Sequence, residues 1–182
     1  MEIIKTDLEG LLVIQPRVFS DSRGYFFESY RKEILSGYGV NAEFVQDNIS
    51  KSKKNTIRGL HYQVWNYAQG KLCQVISGRI LDVALDIRFN SPTFGKHFSQ
   101  ELSEDNHAMI WIPPGFAHGF SVLSDEAVFM YKCTAYYSKE NERAILFNDP
   151  DLSIDWKIAE PVVLEKDLNA KLFKDIERDF VL

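Results

Sequence analysis

Met109-Ile110-Trp111-Ile112 runs into Pro113-Pro114-Gly115, and after Phe116-Ala117-His118 a second apolar run follows, Gly119-Phe120-Ser121-Val122-Leu123. Apolar residues stopped by a proline pair read as a buried strand, and the Pro-Pro-Gly turn sends the chain back as another. Beyond the polar turn Ser124-Asp125-Glu126, the stretch from Ala127 to Thr134 reads as a third strand. Upstream, Leu72, Gln74 and Ile76 lead into Ser77-Gly78, after which Leu81, Val83, Leu85 and Ile87 alternate with Asp82, Ala84 and Asp86. This two-residue period around a Ser-Gly turn predicts a β-hairpin from Lys71 to Arg88. Turn signals recur about every 8 to 12 residues, the spacing of a β-sandwich or barrel. Helical spacing is confined to the flanks: Tyr30 to Ser36, stopped by Gly37 and Gly39, and the set Leu168, Leu172, Phe173 and Ile176. An all-β domain with small flanking helices follows. Among such architectures a double-sheet jelly roll protects its strand edges and leaves a cavity between its sheets.

The 182 residues show no repeat, linker or low-complexity run, so residues 1–182 are expected to form a single domain. A chain of this length buries enough surface to need no disulfide or metal staple. Its hydrophobic share of 45% and charged share of 26% exclude collagenous, coiled-coil and disordered classes. A net charge of −5 argues against nucleic acid or an anionic membrane as partner. Two cysteines, Cys73 and Cys133, are too few for a disulfide scaffold and read as small buried hydrophobes. With no secretory leader, lipidation signal or membrane-length apolar run in view, a cytoplasmic location is expected.

Three clusters carry chemistry. In Ile57-Arg58-Gly59-Leu60-His61-Tyr62-Gln63, His61 and Gln63 share a strand face, whereas Arg58 joins them only if a bulge at Gly59 shifts the register. In Pro113-Pro114-Gly115-Phe116-Ala117-His118, the pattern Pro113-x-Gly115-x-x-His118 resembles the second half of the cupin signature, whose members often hold a metal through histidines. The first half needs His-x-His, and here the segment reads His61-Tyr62-Gln63, so no metal and no other cofactor is expected. In Val128-Phe129-Met130-Tyr131-Lys132-Cys133-Thr134, a tyrosine in an apolar strand is either a core residue or a phenol that serves as proton donor.

Taken together with Phe19-Ser20-Asp21-Ser22-Arg23-Gly24-Tyr25-Phe26-Phe27-Glu28, Gln46-Asp47-Asn48-Ile49-Ser50, Gly70-Lys71-Leu72, Asn148-Asp149-Pro150 and Glu165-Lys166-Asp167, these segments resemble the dTDP-4-dehydrorhamnose 3,5-epimerase family. The similarity spans nearly the whole chain. It implies a metal-free cupin jelly roll that forms a homodimer and inverts C3 and C5 of dTDP-4-dehydro-6-deoxy-D-glucose, giving dTDP-4-dehydro-L-rhamnose. By position His61 would be the base, oriented by Asp167, Tyr131 the acid on the opposite face, and Lys71 the cation at the ketone oxygen. His118 would hydrogen-bond the sugar or oxyanion. Arg23 and Arg58 would grip the pyrophosphate, and Tyr137 would stack near thymine. Phe26, Glu28, Gln46, Asp47, Asn48, Glu142 and Lys166 match further substrate contacts, with Arg23 and Glu28 serving the neighbouring subunit's pocket. The residues leave open an epimerase of one carbon only, one acting on another nucleotide sugar, a non-catalytic cupin that binds a sugar nucleotide, and a metal-dependent oxygenase.

Overall fold

Short runs rich in β-branched and aromatic residues become short strands. In the computed structural model, which describes residues 1–181, the first eight strands are β1 (Glu2–Lys5), β2 (Leu12–Gln15), β3 (Val18–Asp21), β4 (Gly24–Phe27), β5 (Gln46–Lys53), β6 (Ile57–Gln63), β7 (Lys71–Ser77) and β8 (Arg79–Asp86). The remaining five are β9 (His97–Ser103), β10 (Met109–Ile112), β11 (Phe116–Val122), β12 (Glu126–Cys133) and β13 (Glu142–Ala144). Among the described residues helices are limited to α1 (Lys32–Ser36), α2 (Glu165–Leu168) and three single 3₁₀ turns.

Two antiparallel sheets face each other as a jelly-roll sandwich. One has the order β1-β2-β10-β7-β12-β5 and the other β13-β6-β11-β8-β9, while β3 and β4 form a separate two-stranded hairpin. The core between the sheets takes Cys73 and Val75 from β7, Ile110 and Ile112 from β10 and Phe129 from β12, against Ile80 and Ala84 from β8 and Phe116, Phe120 and Val122 from β11. Each sheet is also covered on its other face. Leu35 and Val40 pack on Leu12, Leu72 and Trp111 of the first sheet. The C-terminal segment lays Ile145, Phe147, Leu152 and Trp156 over Ile57, Leu60, Leu81 and Val83 of the second.

The expected hairpin at Lys71–Arg88 is not one. β7 pairs with β10 and β12, whereas β8 pairs with β9 and β11, so Ser77-Gly78 is a corner where the chain changes sheets. A free hairpin has one solvated face, but β8 is buried from Ile80 onward, with even Asp82 and Asp86 fully inside. Asp86 is satisfied there by Arg88, Ser91 and Thr93 at 2.6–2.8 Å. The three-to-four spacing near the C-terminus likewise yields no continuous helix. α2 ends at Leu168, itself exposed, and Phe173 and Ile176 instead reach the outer core from a 3₁₀ turn at Phe173–Asp175. The expected helix near Tyr30–Ser36 is present as α1. No helix among the described residues is long and apolar enough to cross a membrane.

Candidate active site

The site begins with an irregularity in β6. His61 stands opposite His118 on β11, but Arg58 stands opposite Phe120, so three steps along β6 match two along β11. The extra residue is a β-bulge at Gly59-Leu60, and it brings Arg58 and His61 to one face, which a regular strand forbids. Gly59 holds φ +127°, and a Cβ there would meet the Gly119 Cα at 2.5 Å, so only glycine lets β6 and β11 approach this closely. Leu60 and Tyr62 are left facing the outer core.

His61 and Arg58 thereby enter a space bounded by the other sheet. Two adjoining cavities of about 250 and 220 Å³ share His61, Lys71 and Tyr131 as common wall. Gln46, Asn48, Tyr137 and Glu142 line the first, toward solvent. Arg58, His118, Phe129, Lys166 and Asp167 line the second. His61 belongs to β6 of one sheet and Tyr131 to β12 of the other, while Lys71 opens β7 beside Tyr131, its ammonium 5.9 Å from the phenol ring centre.

Two histidine–aspartate pairs fix the imidazoles. His61 Nε2 lies 2.7 Å from Oδ1 of Asp167, which is 1% exposed, and the Gly59 N–H donates to the other carboxylate oxygen at 3.4 Å. Burial pushes the Asp167 carboxyl upward, but the bonds from His61 and Gly59 and the charges of His61 and Lys166 outweigh it and hold it below the ordinary value. The carboxylate therefore accepts a hydrogen bond from Nε2–H and leaves Nδ1 of His61 as the unprotonated nitrogen. His118 Nε2 lies 2.9 Å from Oδ2 of Asp82. Burial lowers the pKa of His118, and the Asp82 charge and hydrogen bond only partly restore it. His118 is thus a neutral ring donating through Nε2. Burial, aided by the neighbouring Cys133 and Cys73 thiols, pushes the Tyr131 phenol up to about 12, so it carries its proton at neutral pH.

The rim is an ordered polar frame. Gln46 accepts from the Tyr137 backbone N–H at 2.9 Å and donates to Asn48 at 3.0 Å. Glu142 accepts from the Tyr137 hydroxyl at 3.3 Å and from Lys166 at 3.2 Å. Arg58 donates to the Ser52 hydroxyl at 3.0 Å.

Four expected contacts stand apart from this cavity. Along β5 the side chains alternate, so Gln46, Asn48 and Ser50 face in while Asp47 faces out and pairs with Lys132 at 2.8 Å. Arg23 and Phe26 lie on the β3–β4 hairpin, where Arg23 pairs with Asp21, and Glu28 just beyond it pairs with Arg31. They border a separate surface depression or open surface, with Phe26 70% exposed. Sequence reading missed Ser50, Phe129 and Asp82. Ser50 was legible from the period of two along β5, whereas Asp82 looked like the solvent side of a hairpin.

The sequence pattern of the dTDP-4-dehydrorhamnose 3,5-epimerase family matches residues 5–175. A relative of that name from Shigella flexneri is 49% identical over 178 residues, covering 97% of this chain and 98% of its own. The crystal structure of dTDP-4-dehydrorhamnose 3,5-epimerase from Elizabethkingia anophelis superposes with a TM-score of 0.92 at 52% identity, covering 96% of this chain and 97% of its own. The dTDP-6-deoxy-D-glucose-3,5-epimerase of Legionella pneumophila, in complex with dTDP-4-keto-L-rhamnose, gives 0.93 at 47% identity, covering 97% of this chain and 94% of its own.

Proposed function

The chain belongs to the dTDP-4-dehydrorhamnose 3,5-epimerase family, and from that membership we propose how its residues invert C3 and C5 of dTDP-4-dehydro-6-deoxy-D-glucose to give dTDP-4-dehydro-L-rhamnose, a step in rhamnose biosynthesis. The C4 ketone acidifies the protons on both neighbouring carbons, and removal of either leaves an enolate. Nδ1 of His61 takes the proton, and Asp167 steadies the imidazolium that forms. Lys71, 9% exposed, neutralises the enolate oxygen from a buried position, where a fixed charge acts more strongly than in water. Tyr131 returns a proton to the opposite face of the same carbon. Because His118 donates a hydrogen bond from Nε2–H to Asp82, its remaining nitrogen accepts from a sugar hydroxyl and leaves the oxyanion to Lys71.

Inversion requires a base and an acid on opposite sides of a planar carbon, and the observation that carries this reading is that His61 and Tyr131 rise from opposed sheets across one cavity. Arg58 and Lys166 hold the pyrophosphate, Tyr137 lies along the thymine, and Gln46, Asn48 and Glu142 frame the nucleotide. The 182 residues act as a single domain in the cytoplasm, with no nucleic acid or membrane partner. The chain works as a homodimer, and Arg23, Phe26 and Glu28 complete the neighbour's pocket. Support for this comes from the exposed hairpin, whose arginine and aromatic rings line a surface depression apart from the His61–Tyr131 cavity. Asp47 serves by pinning Lys132, and so the β5–β12 edge of the site.

Proton NMR of the keto-sugar nucleotide incubated with the protein in D2O tests the reaction. Loss of both the C3 and C5 signals is expected. Loss of one would make the protein a mono-epimerase, and loss of neither would remove the activity.

A further inference from the structure

Behind the inner cavity, and reaching it through His118, lies a donor set of which the mechanism uses the His118–Asp82 pair but not Cys73. Cys73 on β7, Asp82 on β8 and His118 on β11 each place one ligand atom within 4.8 Å of the other two. All three are buried, Cys73 and Asp82 completely and His118 to within 6%. Within this trio Oδ1 of Asp82 has no hydrogen-bond partner although it is sealed from solvent. Among the described residues Asp179 Oδ2 is the other such carboxylate oxygen, but no thiol and imidazole stand with it, whereas the oxygens of buried Asp86 are bonded by Arg88, Ser91 and Thr93. An orphaned anionic oxygen beside a thiol and an imidazole is a position that a cation would satisfy.

We propose that Cys73, Asp82 and His118 form a binding site for a thiophilic divalent cation, Zn2+ in the first place, that inhibits the enzyme by taking His118 away from the substrate. Sulfur, nitrogen and carboxylate oxygen are the ligand types zinc takes together, whereas magnesium and calcium reject thiolate. Bond lengths of about 2.0–2.3 Å at a tetrahedral angle set ligand atoms roughly 3.5 Å apart, so the trio needs to close by little more than an ångström. Binding releases the thiol proton to solvent and forms a Zn–S bond, and thiolate with carboxylate then balances the two positive charges. The route in is the inner cavity, which His118 lines. Because Cys73 belongs to one sheet and the other two ligands to the opposite one, the ion also ties the sheets together.

The site as such does not depend on the epimerase reading, since its first readout is spectroscopic; only the inhibition does. Co2+ is titrated into the purified chain, with the sulfur-to-cobalt charge-transfer absorption and the melting temperature followed. One equivalent should produce the thiolate band and raise the melting temperature. Cys73→Ala should lose the band and weaken Zn2+ binding by at least about 100-fold, while Cys133→Ser keeps both. Zn2+ should stop turnover reversibly in the native chain and leave Cys73→Ala active. If Cys73→Ala fails to fold by circular dichroism, Asp82→Asn takes its place, with the same loss of tight binding expected. No thiolate band, or a band that persists in Cys73→Ala, would overturn the site. Full turnover with the cation bound would overturn the inhibition.

Discussion

At the scale of the residue, His61 and Tyr131 have separable duties that substitutions can expose. His61→Asn keeps a polar ring-sized group at β6 but removes the base, so kcat should fall by at least ~10² while substrate affinity persists. Turnover near that of the native chain would take His61 out of the mechanism. Tyr131→Phe keeps the ring that packs on Phe129 at 5.6 Å between centres and removes the proton donor. In D2O it should still lose the C3 proton signal yet release little inverted product, and a full yield of the L-sugar would count against the assignment. His118 has a lowered pKa, so below about pH 6.5 the unfolded chain binds a proton that the folded state refuses. Stability is therefore complete above that range and is lost as pH falls through it. Calorimetric melting temperatures should decline between about pH 7 and pH 5.5, and a flat profile would mean that the ring charges freely in place. The roles proposed for these residues rest on the family resemblance, which says nothing of the direction of each proton. That came from which nitrogen meets a carboxylate.

At the scale of the element, the bulge in β6 is the device on which the site turns. Gly59→Ala would force a methyl into the β11 backbone at a φ that alanine rarely adopts, and should cost about 3 kcal/mol or more. Denaturant titration measures the loss. The same variant should lower turnover beyond what the loss of folded protein explains, because Arg58 and His61 would no longer share a face. The three-residue spacing put Arg58 beside His61 only on condition of a bulge at Gly59, and the register shift against β11 meets that condition. The sequence did not show that Ser77-Gly78 is a corner. A period of two reports which residues alternate, and β8 alternates between two buried faces, with Asp82 toward one core and Leu81 and Val83 toward another. Burial of both faces is decided by what packs from elsewhere in the chain, and no local pattern records it.

At the scale of the whole molecule, the chain is a sandwich with an arm. The β3–β4 hairpin touches neither sheet through strand pairing, and exposes Phe19, Tyr25 and Phe26 together with Arg23. If that arm completes a neighbour's pocket, subunits inactivated in different parts should rescue one another. Mixing Arg23→Glu with His61→Asn, each nearly inactive alone, should restore about a quarter of native activity at equal ratio, since in half of the randomly assorted dimers one of the two pockets is intact. Sedimentation should report a dimer throughout, and a mixture no more active than its parts would confine each pocket to its own chain. The jelly roll itself was legible in the rhythm of turns, because strand length and turn chemistry are local. The way the arm stands clear of the cavity was not, because its aromatic residues read equally well as core.

The division of labour between the two sheets has an evolutionary consequence. In the proposed mechanism the base stands on one leaf of the sandwich, and the acid stands with the Lys71 cation on the other. Substitutions that accumulate along β12 and β5 therefore reshape the delivery of the proton while leaving its abstraction intact. Such a lineage passes through forms that wash isotope into the sugar without changing its handedness.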